Sequence, residues 1–180
     1  MVESLKIVGL GVVAAVAYGI AHDNVTARVC VEYFTIGHAP IFGTESPTLL
    51  ALGWGVVATW WVGFGLGIIL ALACRLGRYP KLTAGDLLRP LGLLLGSMAV
   101  VSLVAGLVGY YSATRGWVWL VGPIASRVPQ DRHHVFLADL WAHLAAYASA
   151  AAGGVVLAVW ARFRRTRLAS TRDVTVPPRA

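Results

Sequence analysis

Residues 91–111 read LGLLLGSMAVVSLVAGLVGYY and contain no Asp, Glu, Lys, Arg or His. A helix rises about 1.5 Å per residue, so about 20 such residues cover the roughly 30 Å of a bilayer's hydrocarbon. Three further stretches share this character: Leu5–Ala21, Thr48–Cys74 and Leu137–Ala161. Between them, the alternating apolar residues Trp117, Trp119 and Val121 suggest a segment lying in the headgroup layer. The pattern therefore predicts an all-α, polytopic integral membrane protein, a four-helix transmembrane bundle. Residues 1–167 form its single domain, with spans at about 5–21, 48–74, 91–111 and 137–161.

Composition agrees. Hydrophobic residues make up 58% of the 180 and charged residues 13%, about half the charge of a soluble domain. The net charge of +7 is unevenly spread. Lys6, Arg75, Arg78, Lys81, Arg89, Arg162, Arg164, Arg165, Arg167, Arg172 and Arg179 lie near the termini or in the middle loop, against Arg28, Arg115, Arg127 and Arg132 in the other two loops. Such asymmetry follows the positive-inside rule and places both termini in the cytoplasm. The Ala/Arg/Gly-rich composition looks bacterial, so the expected address is the inner (plasma) membrane. The Arg162–Arg167 cluster should meet anionic lipid rather than nucleic acid, at about 1 kcal/mol per basic residue near the surface.

Breakers set the expected connections. From Leu5 to Ile36 no proline occurs, so the first helix should run on to the Gly37-His38-Ala39-Pro40 turn. Ser46 and Pro47 suit the N-cap and first position of the second span. Gly63 and Gly67 form a small-xxx-small pair for close packing, while Trp60 and Trp61 are expected to fill space. Thr83-Ala84-Gly85-Asp86 resembles a capping box at the start of the third helix, and Pro90 falls in its first turn. Residues 112–130, with Trp117 and Trp119, form a second long outer loop. The fourth helix is extended like the first, from near Asp131 to about Arg167. The two long loops cap the outer face, and residues 168–180 are expected to be a disordered cytoplasmic tail. Gly19-Ile20-Ala21 also fits a signal-peptide cleavage site, although Glu3 weakens the positive start. Cys30 and Cys74 fall on opposite sides of the bilayer, too far apart for a disulfide.

All five histidines fall at the outer side. Sixteen residues separate His22 from Lys6 and nineteen separate His143 from Arg162, or about 24 and 28 Å of helix. Both imidazoles thus sit just beneath the outer boundary. Asp23 adjoins His22, and Asp139 lies one turn from His143. Tyr18 and Tyr147 lie one turn deeper on the same two helices. Ionisable groups at this depth usually face the bundle interior.

His22, Asp23, Asp139 and His143 are accordingly the candidate metal ligands, for Zn, Fe or Mn. Glu32 and His38 are candidate acid–base groups, with His133 and His134 above them, and Arg28 is expected to pair with Glu32 at i, i+4. If catalytic, the site suits metal-assisted hydrolysis at the extracytoplasmic face. A bis-histidine haem on His22 and His143 is the lesser cofactor alternative, and a proton relay or transport role is another. A non-catalytic accessory subunit is the rival class. Its polar pairs would only tie helices together, and its surfaces would meet a membrane-protein partner or a second copy.

Overall fold

The computed structural model describes residues 1–174, with side chains through Ser170. Among these residues the chain is all-helical: α1 Val2–Val29, α2 Val31–Thr35, α3 Pro47–Val57, α4 Trp60–Arg75, α5 Leu88–Thr114, α6 Gly122–Arg127 and α7 His133–Val174, with short 3-10 turns before α5 and α7. Four units are long and apolar enough to cross a membrane: α1, α3 with α4, α5 and α7.

Glycine decides how they pair. A methyl group on Gly63 would lie 2.5 Å from the Gly11 carbonyl oxygen, and one on Gly55 would lie 2.6 Å from the Ile20 backbone. These contacts let α1 lie backbone to backbone against α3 and α4, as small-xxx-small pairing requires. Across the molecule, Gly106 and Gly109 admit Ala142 and Trp141, joining α5 to α7. The two pairs meet at the arginine-rich end, where Ile7, Leu70, Cys74, Leu87, Leu157 and Ala161 form the largest core cluster.

Arg165 locks that end. It is fully buried and donates to the carbonyls of Ala73, Leu76, Tyr79 and Pro80 at 2.6–3.1 Å. Carbonyls at a helix C-terminus lack intrahelical donors, and a guanidinium answers both their hydrogen bonding and their partial negative charge.

Several sequence expectations need correction. α1 ends at Val29 because Cys30 is extended (φ −147°, ψ 92°), and the chain resumes as the separate α2. Neither Cys nor its valine neighbours break helices intrinsically; the break turns α2 beneath the loop cap, where Phe34 and Phe136 are buried. The second span is interrupted at Ala58-Thr59. Trp60 and Trp61 are half exposed on its outer surface rather than filling space. Ser46 precedes α3 with Pro47 at its first position, but its hydroxyl makes no capping bond. The capping box at Thr83 is half made: the Asp86 carboxylate accepts from the Thr83 amide and hydroxyl, both at 2.7 Å. α7 continues past Arg167 to Val174, and residues 175–180 of the expected tail lie outside the described residues.

Candidate functional site

α1 and α7 touch little along their length, yet they converge at the histidine end. The His22 and His143 rings stand edge to face with centroids 4.6 Å apart. His143 Nε2 lies 3.3 Å from Asp23 Oδ1. One ligand atom from each of His22, Asp23 and His143 lies within 4.8 Å of the others. Asp23 and His143 are buried, at 5% and 7% exposure, so water does not screen the cluster.

Hydrogen bonding fixes which nitrogens are free. His143 Nδ1 lies 2.8 Å from the Asp139 backbone carbonyl, which can only accept, so Nδ1 carries the proton. In the neutral ring Nε2 then bears a lone pair. On the other helix, Ser102 Oγ donates to the Ala142 carbonyl at 2.8 Å and so presents its lone pairs to His22 Nδ1, at a long 3.5 Å. His22 Nε2 has no partner. Both imidazoles are thus tied through Nδ1, as outer hydrogen bonds orient metal-ligating histidines, while His22 Nε2 is unpartnered and His143 Nε2 faces the Asp23 carboxylate.

With a neutral His143, its lone pair and the Asp23 carboxylate face one another in a buried space beside His22. Such a grouping repels itself unless a proton or a metal cation stands between its members. A porphyrin does not fit between rings this close, so the geometry gives no support to the bis-histidine haem.

A cavity of about 60 Å³ adjoins the cluster, against the roughly 10–15 Å³ one water needs. Tyr18, His22, His143 and Tyr147 line it with His38 and Trp54. His38 reaches it from the Gly37 turn. Its Nδ1 donates to the Tyr33 carbonyl at 2.9 Å, and its ring stacks on Phe34 and leans on Trp54. Burial lowers its pKa below the usual imidazole value, more than the Tyr33 bond raises it. The ring is therefore neutral at pH 7, with Nε2 able to accept a proton.

The remaining candidates sit elsewhere. The Asp139 carboxylate is outside the triad; the residue serves His143 through its backbone, and its Oδ2 has no partner. Glu32 pairs with Arg132 through both carboxylate oxygens, at 3.0 and 3.1 Å, and accepts from Cys30 at 3.3 Å. Both of its carboxylate oxygens are thus engaged by donors. Arg28 pairs not with Glu32 but with Asn24 and Thr48. His133 donates to the Val128 carbonyl, and His134 packs on Tyr110.

Ser102 and Tyr33 were missed from sequence. Ser102 sits thirteen residues beyond Arg89, about 20 Å along its helix, so the depth count that placed His22 also reaches it. Tyr33 covers His143, with ring centroids 4.4 Å apart, and sequence gave no sign of that. No family model, curated protein or solved structure matches the chain. Function therefore has to be argued from the site alone.

Proposed function

We propose that the chain is a multi-pass protein of the plasma membrane, with both termini cytoplasmic. In this reading it holds a divalent metal at His22, Asp23 and His143 beneath the outer surface. The four long apolar units and their exposed aliphatic faces support insertion, among them Val13, Leu93, Val100 and Val156 at 62–68% exposure. Collected arginines at the opposite end from the histidines support the orientation. Arg162–Arg167 would meet anionic headgroups there.

One observation carries the metal assignment: His22, Asp23 and His143 bring one ligand atom each within 4.8 Å of the others, with His22 Nε2 unpartnered and His143 Nε2 facing the carboxylate. Two histidines and one carboxylate match the three-ligand sets of catalytic zinc sites, which keep a fourth position for water. The adjoining cavity supplies room for that water. A divalent cation lowers the pKa of bound water to about 7 and makes it nucleophilic. His38 is the general base in this scheme, and metal-assisted hydrolysis of an extracytoplasmic or lipid-borne substrate is the reaction class that fits. Zn, Fe and Mn all suit the donor set.

Elemental analysis of detergent-purified protein tests the assignment. About one metal ion per chain is expected, lost in His22→Ala and in His143→Ala with the helical circular dichroism unchanged. Substoichiometric metal in the parent protein would overturn it. The cluster would then be closed by a shared proton, and the relay and accessory roles would move ahead.

A further inference from the structure

A groove of about 720 Å³ opens at the arginine-rich end, between the first turn of α5 and α7. That is within the roughly 300–1,000 Å³ usual for small-molecule sites. One wall is a single stripe of α7. Val156, Val159, Trp160, Phe163, Arg164 and Arg167 line it, at the three- and four-residue spacing that keeps side chains on one helix face. The stripe changes character along its length. Val156 and Phe163 are 66% and 64% exposed, so its deeper part offers apolar surface to the bilayer. Eleven residues separate Val156 from Arg167, or about 16 Å of helix. The groove thus passes from hydrocarbon depth to headgroup depth, with Trp160 at the level where indole is favoured.

The arginines divide by task. Arg165 is buried on helix-end carbonyls, and Arg162 donates to the Leu76 carbonyl at 3.0 Å. Arg164 and Arg167 are exposed and line the groove, and Arg89 joins them from the second residue of α5. Asp86 is the only acid among the lining residues, and its Oδ2 already accepts from the Thr83 amide and hydroxyl. Three guanidiniums against one carboxylate leave a charge of +2 at the rim.

That balance selects the occupant. Guanidinium groups take phosphate oxygens in bidentate pairs. A phosphodiester headgroup brings one negative charge and leaves the rim positive. A phosphomonoester brings about −1.5 to −2 at pH 7 with three terminal oxygens, which closes the charge and offers each arginine an acceptor. We propose that this groove binds one lipid whose headgroup ends in a phosphomonoester, its phosphate held by Arg89, Arg164 and Arg167 and its chains lying along Val156 and Trp160. The assignment rests on membrane insertion as proposed above. It sharpens a general attraction between arginines and anionic lipid into one saturable site, and it is independent of any metal at the opposite end.

Native mass spectrometry of the full chain released from phosphatidylcholine nanodiscs tests it, with dioleoyl phosphatidic acid as the probe. One phosphatidic acid per chain is expected at saturation. Dioleoyl phosphatidylglycerol should bind about tenfold less tightly, as loss of a charge-assisted hydrogen bond implies. Arg89→Gln and Arg164→Gln should each weaken phosphatidic acid binding about tenfold for the same reason. Arg78→Gln removes an equal charge from the exposed turn after α4, outside the groove, and should leave binding nearly unchanged. Val156→Trp, at an exposed position, should obstruct the apolar half and weaken binding with the helical circular dichroism unchanged. Equal binding of phosphatidylglycerol, or equal effects of Arg78→Gln and Arg89→Gln, would mean diffuse attraction to any anionic lipid. Competition by glycerol 3-phosphate at matched concentration would mean a site for soluble phosphate. Preference for phosphatidylethanolamine would mean that its ammonium pairs with Asp86. Each of these results overturns the proposal, as does binding indifferent to Val156→Trp. A chain that enters nanodiscs but shows no lipid preference fails this assignment alone, whereas one that does not enter them fails the insertion reading as well.

Discussion

At the scale of single residues, Glu32 shows how packing redirects a side chain that looks catalytic. Burial pushes its pKa up, but hydrogen bonds from Arg132 and Cys30 outweigh burial and leave it below the usual carboxylate value. A carboxylate with a depressed folded pKa adds stability that is fully present above its unfolded value of about 4.5 and lost as pH falls through the folded one. Glu32→Gln should therefore lower thermal stability at pH 7, by about 1 kcal/mol or less because solvent reaches the pair. The difference from the parent should shrink toward zero below pH 4. A constant difference across that range would show that charge is not what Glu32 contributes. The same contrast between side chain and backbone explains what sequence could read of the site. Counting helical rise from Lys6 and Arg162 put His22 and His143 at one height, and the structure brings them together with Asp23. Counting could not distinguish an Asp139 carboxylate from an Asp139 carbonyl, and the carbonyl is the group that holds His143. Nor could it foresee that Arg132, a hundred residues away, would claim Glu32.

At the scale of elements, glycine position separates packing from mere flexibility. Gly63 and Gly65 both sit in α4, two residues apart, on opposite sides of the helix. A methyl at Gly63 meets the Gly11 carbonyl oxygen and the Ala15 side chain at 2.5 and 2.7 Å, while one at Gly65 meets nothing within 4 Å. Gly63→Ala should force α1 and α4 apart and destabilise by about 1–3 kcal/mol. Gly65→Ala should be neutral or stabilising by up to about 1 kcal/mol through helix propensity. Unfolding in mixed micelles would compare them, and equal effects would count against backbone contact between α1 and α4. This interface was legible in the Gly63/Gly67 spacing, as were all four long apolar units. The breaks at Cys30 and Ala58-Thr59 were not, because neither site carries Gly or Pro. Tertiary contacts impose them, and at Cys30 the break lets Tyr33 reach His143. The outer cap is thus partly helical and folded down onto the site, where the sequence suggested only a continued helix and loops.

At the scale of the whole molecule, the proposed orientation joins the charge pattern to the site. With the arginines cytoplasmic, the His22–His143 cluster opens toward the extracytoplasmic side, and a substrate there would reach it without crossing the bilayer. Thiol labelling from outside intact cells tests this, because the native cysteines should stay silent. Cys30 and Cys74 are both fully buried. Burial, reinforced by the Glu32 carboxylate that accepts from its thiol, pushes Cys30 up to about 12, so almost no thiolate exists at neutral pH to react. New cysteines can then be read one at a time. Trp119→Cys, 68% exposed between α5 and α6, should react with a membrane-impermeant maleimide in intact cells. Arg78→Cys, in the exposed turn after α4, should react only after lysis. Both groups of outcomes bear on the chemistry. If Arg78→Cys labels from outside and Trp119→Cys does not, the chain is inverted and the histidine cluster faces the cytoplasm. A metal centre would then draw on the cytoplasmic pool, and the anionic lipid expected at Arg162–Arg167 would have to lie in the outer leaflet. Labelling of both positions from outside would break the four-span topology itself and separate the arginine lock at Arg165 from any single membrane face.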